Sequence, residues 1–257
     1  MIEKIKTAIW FARRPGFYAH ATALAFRKLK VDYEAPKYRE QATNWAAERA
    51  LPLAEALDKV GLLRDGQDLP AMDKALISEA EKKATQSRVK MGGPGDLSLI
   101  YSAVVLSNAH KVIETGVAYG WSSLAILAGL LDKDGAKLIS VDMPYPKMGN
   151  ESFVGIVVPE RFKPYWGLIR QPDRPGVQKA IAQHKGEIDL CHYDSDKSWY
   201  GRNYAYPMLW DALKTGGVFI SDDIQDNMAF AEFVEAKKIP FAVTESNGKY
   251  VGIFRKA

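Results

Sequence analysis

Two strand-like runs end in carboxylates. His192-Tyr193-Asp194-Ser195-Asp196-Lys197-Ser198 closes one, and Ile220-Ser221-Asp222-Asp223 closes another. If these runs are adjacent parallel strands, Asp194, Asp222 and Asp223 meet at one end of a sheet. Carboxylates that converge without matching cations raise one another's pKa. A hard divalent cation relieves that repulsion, and oxygen ligands at a partly open octahedral site suit Mg²⁺. The competing reading is that one or more of the three caps the following helix. It weighs about evenly for Asp223 alone and much less for all three. His192 lies two residues deeper on the Asp194 face and reads as a hydrogen-bonded packing residue rather than a ligand. Lys197, with Asp194 beside it, is the candidate catalytic group. To act as a base its amine must titrate below the ordinary value of about 10.4. Its competing reading is a solvated loop lysine.

A second cluster follows an earlier β-rich run: Val112-Ile113-Glu114-Thr115-Gly116-Val117-Ala118-Tyr119-Gly120-Trp121-Ser122-Ser123. Gly116 and Gly120 permit a tight strand-to-helix turn and close approach of a ligand to the backbone. Asp142, ending the next run, is suited to accept hydrogen bonds from both hydroxyls of a ribose. The dinucleotide pattern G-x-G-x-x-G is not met, because Glu114 and Ala118 stand where it needs glycine. That argues for a ligand without phosphates at the helix N-terminus.

These clusters need a scaffold that brings strand ends together. From residue 111 onward, strand-like and helix-like runs alternate. Strands are expected over Lys111–Thr115, Lys137–Asp142, Trp166–Gln171, Ile188–Asp194, Val218–Ser221, Phe241–Glu245 and Tyr250–Arg255. Helices are expected over Trp121–Leu131, Pro175–His184, Tyr204–Lys214 and Asn227–Lys237. Asn247-Gly248 signals the closing hairpin, expected to add an antiparallel edge strand. The alternation implies an α/β, doubly wound, mostly parallel sheet of seven strands with an antiparallel C-terminal hairpin. Ligands of such sheets bind beyond the carboxyl ends of the strands, where every suggestive cluster falls. Residues 1–90 read as a helical N-terminal extension: Phe17–Lys30, Asn44–Leu63 and Asp73–Lys90 carry helical patterns interrupted at Pro15 and Pro52. Met91-Gly92-Gly93-Pro94-Gly95 marks a boundary, so a second domain spans 91–257, opening on a helix from Leu97 capped by Asp96.

At this point the chain resembles a known family. Glu-x-Gly-x-x-x-Gly followed by Asp142 looks like the first motif and acidic strand end of class I S-adenosylmethionine-dependent methyltransferases. The resemblance covers roughly residues 90–257. Within that class the chain is similar to the metal-dependent O-methyltransferases, of catechol and of macrocin and mycinamicin sugars, with cephalosporin-hydroxylase-type proteins nearby. The resemblance implies that Glu114, Gly116, Ala118, Gly120 and Ser122 line the methionine and ribose part of the cofactor pocket. It also implies that Asp142 holds the ribose and that Asp173 sits near the adenine. It implies Asp194, Asp222 and Asp223 as ligands of Mg²⁺ or a similar cation. Lys three residues after the first Asp matches the catechol group, whereas the sugar enzymes more often have His there. The acceptor implied is a hydroxylated small molecule or sugar. The long 143–166 connection, rich in Pro, Gly and aromatics, is expected to cover the acceptor site together with the N-terminal helices. Tyr119, Trp121 and Trp199 are candidate contacts. The alternatives are another Rossmann-like enzyme, such as an NAD-dependent oxidoreductase, or a non-catalytic partner protein that keeps the fold.

Composition narrows the rest. The 257 residues are 47% hydrophobic and 26% charged, which excludes disordered and low-complexity classes. One cysteine, Cys191, forms neither an intrachain disulfide nor a cysteine zinc site, which favours the cytoplasm. No apolar run approaches the ~20 residues of a membrane span, and no export signal is expected. Lys and Arg number 35 against 31 Asp and Glu, and the surplus sits entirely in residues 1–50, with ten against five. The preferred reading of that segment is a helical cap with solvated Lys and Arg; contact with an anionic membrane surface is the second. Nucleic acid is not expected, since no basic stripe continues beyond it. A homo-oligomer is.

Overall fold

The computed structural model describes residues 2–27, 29–145 and 149–257. Among them, β1 (Lys111–Thr115), β2 (Lys137–Val141), β3 (Trp166–Ile169), β4 (Ile188–Tyr193), β5 (Leu213–Ser221), β6 (Phe241–Ser246) and β7 (Lys249–Arg255) form one seven-stranded sheet. The order is β3-β2-β1-β4-β5-β7-β6. All pairings are parallel except those of β7, which runs antiparallel to both β5 and β6. The antiparallel strand therefore lies inside the sheet, and β6 takes the edge that the hairpin signal assigns to a single added strand. This order also departs from the 3-2-1-4-5-6 arrangement of dinucleotide-binding sheets.

Alternating side chains feed two cores, as a sheet covered on both faces requires. Val112, Leu138, Leu190, Ile220 and Ile253 face one core, with α6 (Leu97–Leu106) and α7 (Trp121–Leu130). Ile113, Ile139, Cys191, Phe219 and Phe254 face the other, with α8 (Asp173–Gln183), α9 (Trp199–Ala212) and α10 (Ala229–Ala236). Asp96 caps α6 as expected, accepting from the Leu99 N–H at 3.0 Å. Two expectations shift. The Gly216-Gly217 pair forms a bulge inside β5 rather than a turn before it, with Gly216 at φ +79° and the β4–β5 register slipping there. And α9 starts at Trp199, not Tyr204, because Ser198 caps it by accepting from the Gly201 N–H at 2.9 Å. Pro207 is then interior to the helix.

The N-terminal region supplies α1 (Ile2–Ala12), α2 (Tyr18–Arg27), α3 (Pro36–Ala47), α4 (Leu53–Lys59) and α5 (Lys74–Ala84), with Pro52 separating α3 from α4. Trp45 of α3 stacks on Phe241 at 5.2 Å, and the Leu51 N–H donates to Val243 at 2.8 Å, continuing the sheet past β6. Leu57 and Leu76, from α4 and α5, are buried in the first core. Helix α2 buries no residue, and no described side chain of α1 joins either core.

Candidate functional site

The turn between β1 and α7 is built around a buried carboxylate. Glu114 is wholly excluded from solvent and accepts from the hydroxyls of Ser122 and Ser123 at 2.5 Å and of Ser140 at 2.6 Å. Burial pushes its carboxyl upward against the pull of His192 and these three donors. Glu114 thus ties the start of α7 to β2 from below the turn. Gly116 and Gly120 both have positive φ, +81° and +91°. A Cβ on Gly116 would lie 2.3 Å from the Asp194 carbonyl oxygen, so glycine is what lets the ends of β1 and β4 close on each other. Ala118, also at positive φ (+48°), accepts at its carbonyl from the Gly155 N–H at 2.9 Å, while Tyr119 accepts from Val157 at 3.1 Å. The 143–166 connection, where it is described, is therefore laced to this turn by Gly155 and Val157, between two short 3₁₀ segments, Glu151–Phe153 and Glu160–Tyr165.

Two cavities flank the turn. The larger, about 610 Å³, opens beyond β1, β2 and β4 and is lined by Gly116, Asp142, Asp173 and Ser195, with His20 and Arg27 of α2 forming its roof. Its volume lies within the roughly 300–1,000 Å³ of small-molecule sites. Asp142 is buried there. Its Oδ1 accepts from the Val117 N–H at 3.1 Å, and its Oδ2 pairs with Arg170, which reaches on to Glu151 at 2.6 Å. Burial raises the Asp142 carboxyl while Arg170 opposes the rise. Asp173, the first residue of α8, accepts from Ser195 at 2.6 Å and from Tyr193 at 3.2 Å, and burial lifts its carboxyl to about 6.

The smaller cavity, about 280 Å³, is lined by Val117, Ala118, Trp121, Ser122, Asp194, Lys197, Asp222 and Lys249. Here the sequence-predicted carboxylates meet lysines. Lys197 lies 2.8 Å from Asp194 and also pairs with Asp223, whose other oxygen is 3.0 Å from Lys249. These contacts hold the Asp223 carboxyl down at about 2 and push the Lys197 amine up, the reverse of the depression a lysine base needs. Asp194 is raised by burial and by the neighbouring Asp222. Asp222 Oδ1 is buried without a hydrogen-bond partner, 3.7 Å from His192 Nε2. Among the described residues no three His, Cys, Asp or Glu side chains are gathered as a metal cluster. None of the three aspartates caps a helix through its side chain, and Asp223 takes φ +51° ahead of a 3₁₀ turn with no capping bond.

Of the residues expected to bind cofactor, Gly116, Asp142 and Asp173 share the larger cavity, and Ala118 and Ser122 line the smaller. Glu114 lies beneath the turn, and Gly120 faces the Gly155 and Val158 region. Trp121 lines the smaller cavity, Tyr119 is buried with its hydroxyl donating to the Val89 carbonyl, and Trp199 stacks on Tyr33 at 4.3 Å. His192 packs fully buried between Glu114 and Asp222.

Sequence reading missed Arg202. It is fully buried on α9 and donates to the carbonyls of Asp222 (2.9 Å) and Asp223 (2.7 Å) and to Asn227 Oδ1 (3.2 Å). Asn227 in turn donates to the Lys197 carbonyl at 2.8 Å. One guanidinium thus clamps both acidic loops. The signal was present: Arg202, Ala205, Tyr206 and Leu209 make the i, i+3, i+4, i+7 stripe of a buried helix face, with a charge on it.

Residues 113–224 match the family described as a methyltransferase domain. Among solved structures, an O-methyltransferase from Bacillus cereus in complex with S-adenosylhomocysteine is 15% identical over 83% of this chain and 99% of its own, with TM-score 0.55. A putative O-methyltransferase from Klebsiella pneumoniae is 13% identical over 84% and 100%, with TM-score 0.54. A methyltransferase from Podospora anserina bound to S-adenosylhomocysteine is 17% identical over 74% and 91%, with TM-score 0.53. No curated protein sequence matches the chain. These likenesses show the fold: a Rossmann-like seven-stranded sheet with an antiparallel closing hairpin, shared with solved O-methyltransferase structures.

Proposed function

We propose that this chain is an S-adenosylmethionine-dependent O-methyltransferase that binds adenosine in the larger cavity and methylates a hydroxyl of a small molecule or sugar in the smaller one. The observation that carries the reading is the shared wall. Gly116 and Ser195 line the first cavity, and their chain neighbours Val117 and Asp194 line the second. A ligand that passes the glycine turn therefore has one end at Asp142 and the other at Asp194, Lys197 and Asp222. S-adenosylmethionine, when bound, supplies a sulfonium methyl for in-line transfer to oxygen.

The chain's own groups do the positioning. Asp142, fixed by the Val117 N–H, accepts the ribose hydroxyls, and Asp173 accepts from the base. Ala118 and Ser122 face the reacting end. Glu114 and Gly120 hold the turn in shape. Asp194 and Asp222 fit a divalent cation such as Mg²⁺: they repel each other, and Asp222 Oδ1 has no partner. Asp223 completes the expected ligand set, although Lys197 and Lys249 hold it here. When bound, such a cation lowers the pKa of a coordinated hydroxyl. Lys197 is the proposed proton carrier. It accepts a proton only when its contacts with Asp194 and Asp223 loosen, because those contacts keep it an ammonium. One free, buried cysteine and the lack of any described helix long and apolar enough to cross a membrane favour a cytoplasmic setting for this activity.

Calorimetry with S-adenosylhomocysteine, with and without Mg²⁺, tests the reading. Binding by the wild type and a loss of at least tenfold in Asp142→Asn is the expected result. Binding of NAD in place of S-adenosylhomocysteine overturns it. Methyl transfer that survives chelation unchanged removes the metal from the proposal.

A further inference from the structure

The helices that roof the larger cavity have a second face. Residues 1–30 contain seven Lys and Arg and one Glu, while residues 31–257 hold 28 against 30. The exposed large apolar side chains gather in the same stretch. Ile9, Leu24, Phe26, Leu29 and Val31 are 46%, 37%, 64%, 83% and 54% exposed, and Tyr18 joins them. Among the other described residues only Leu69, Tyr145 and Leu168 are comparable. Helix α2 buries no residue at all. Between α1 and α2 runs a groove of about 800 Å³, lined by Ala8, Phe11, Ala21, Leu24 and Val31. The hairpin is fastened to the body near the end of α2. There Arg27 pairs with Glu34 at 3.0 Å and Asp196 at 3.4 Å, and Tyr33 stacks on Trp199. Exposed apolar side chains concentrated in one segment, beside a groove of this size, mark an interaction site.

We propose that the α1–α2 face docks on an anionic membrane surface, lying in the headgroup layer. The occupant is chosen by charge. A second copy of this chain in a two-fold contact would set the patch against itself, bringing two strongly basic segments together. An anionic bilayer offers an apolar seat for Ile9, Leu29 and Val31 and a negative potential for Arg13, Arg14 and Lys30. The helices have 11 and 10 residues, about half of the ~20 needed to cross, so they rest on the membrane rather than span it.

Co-sedimentation of the full chain with vesicles tests this, comparing pure phosphatidylcholine with vesicles containing one-third phosphatidylglycerol, at low and high salt. The wild type is expected to bind only the anionic vesicles and to be released by salt. Arg13→Ser with Arg14→Ser should weaken binding about 25-fold, from about fivefold per basic residue near the surface. Ile9→Ser with Leu29→Ser should weaken it at least tenfold. Both double variants keep the wild-type unfolding temperature, since these side chains are exposed. Failure to bind either vesicle overturns the proposal, as does equal binding to both. Self-association in sedimentation that Ile9→Ser with Leu29→Ser abolishes, without vesicle binding, assigns the face to a second copy instead.

Discussion

Arg202→Met removes the guanidinium that joins the two acidic loops while keeping most of the side chain's length and apolar stem. Three acceptors lose their donor: the carbonyls of Asp222 and Asp223 and Oδ1 of Asn227. A buried acceptor left without a partner costs about 1–3 kcal/mol, so the gross loss is roughly 3–9 kcal/mol. Against it stands the desolvation of a fully buried cation, which is returned when the charge is deleted and amounts to several kcal/mol. Arg202 Nε has no partner even in the intact protein, so part of that cost is never repaid there. The orphaned carbonyls outweigh the recovered desolvation because they cannot turn away: Asp222 and Asp223 directly follow the central strand β5, and the Asp222 N–H is bonded to the Tyr193 carbonyl. A net loss of about 2–4 kcal/mol follows. At roughly 2–4 °C per kcal/mol for a chain of this size, the unfolding temperature should fall by about 5–15 °C. Arg202→Lys should behave nearly as badly, since an ammonium cannot reach three acceptors in the fork geometry. Differential scanning calorimetry reads both variants. A change within 2 °C for Arg202→Met would refute the clamp and leave the acidic loops held by their strands alone.

Two further predictions concern titration and chemistry. The Asp173 carboxyl is raised to about 6 from an ordinary value near 3.8, so the folded state holds that proton more tightly than the unfolded state. Its contribution to stability is therefore complete below about pH 4 and lost as pH rises through about 6, at most about 3 kcal/mol in all. Urea unfolding at pH 4.5 and pH 7.5 should show Asp173→Asn flattening this dependence, and an unchanged slope would count against it. Lys197→Met should lower methyl transfer at least a hundredfold while leaving S-adenosylhomocysteine affinity within threefold, as read by radiolabel transfer and calorimetry. Near-normal turnover would remove Lys197 from the chemistry.

The sheet was legible because its strands are short β-rich runs ending in chemistry-bearing residues, and parallel strands buried on both faces leave a plain apolar signature. β1 starts and ends where the pattern predicts, and the other boundaries move by a few residues. What the pattern does not carry is tertiary. Gly116 reads as a residue that admits a ligand, yet the space beside it is taken by the Asp194 carbonyl, a contact between strands 78 residues apart. Glu114 reads as pocket-lining from its place in the motif. Its burial under three serines depends on Ser140 of β2 as much as on its own neighbours. Asp223 and Lys197 illustrate the same limit in electrostatics. The run Asp222-Asp223 predicts repulsion, but Lys249 arrives from the antiparallel β7, whose insertion beside β5 no local spacing announces.

The insertion of β7 also bears on why the two cavities differ. A strand parallel to β5 would bring another carboxyl end, and another set of loop residues, to the acidic side of the sheet. Running antiparallel, β7 instead presents its beginning there, so the Ser246–Lys249 turn lines the smaller cavity and sets Lys249 against Asp223. The larger cavity lies on the β1–β2 side, where the carboxylates at the strand ends have other partners than lysine: Asp142 answers to Arg170, and Asp173 to hydroxyls. Charge is thus divided across the glycine turn. On the proposed reading one side offers acceptors to a ribose and base, and the other holds acid and ammonium groups side by side. The proposed methyl transfer to oxygen uses that division, since it grips the cofactor at one end and takes the acceptor's proton at the other.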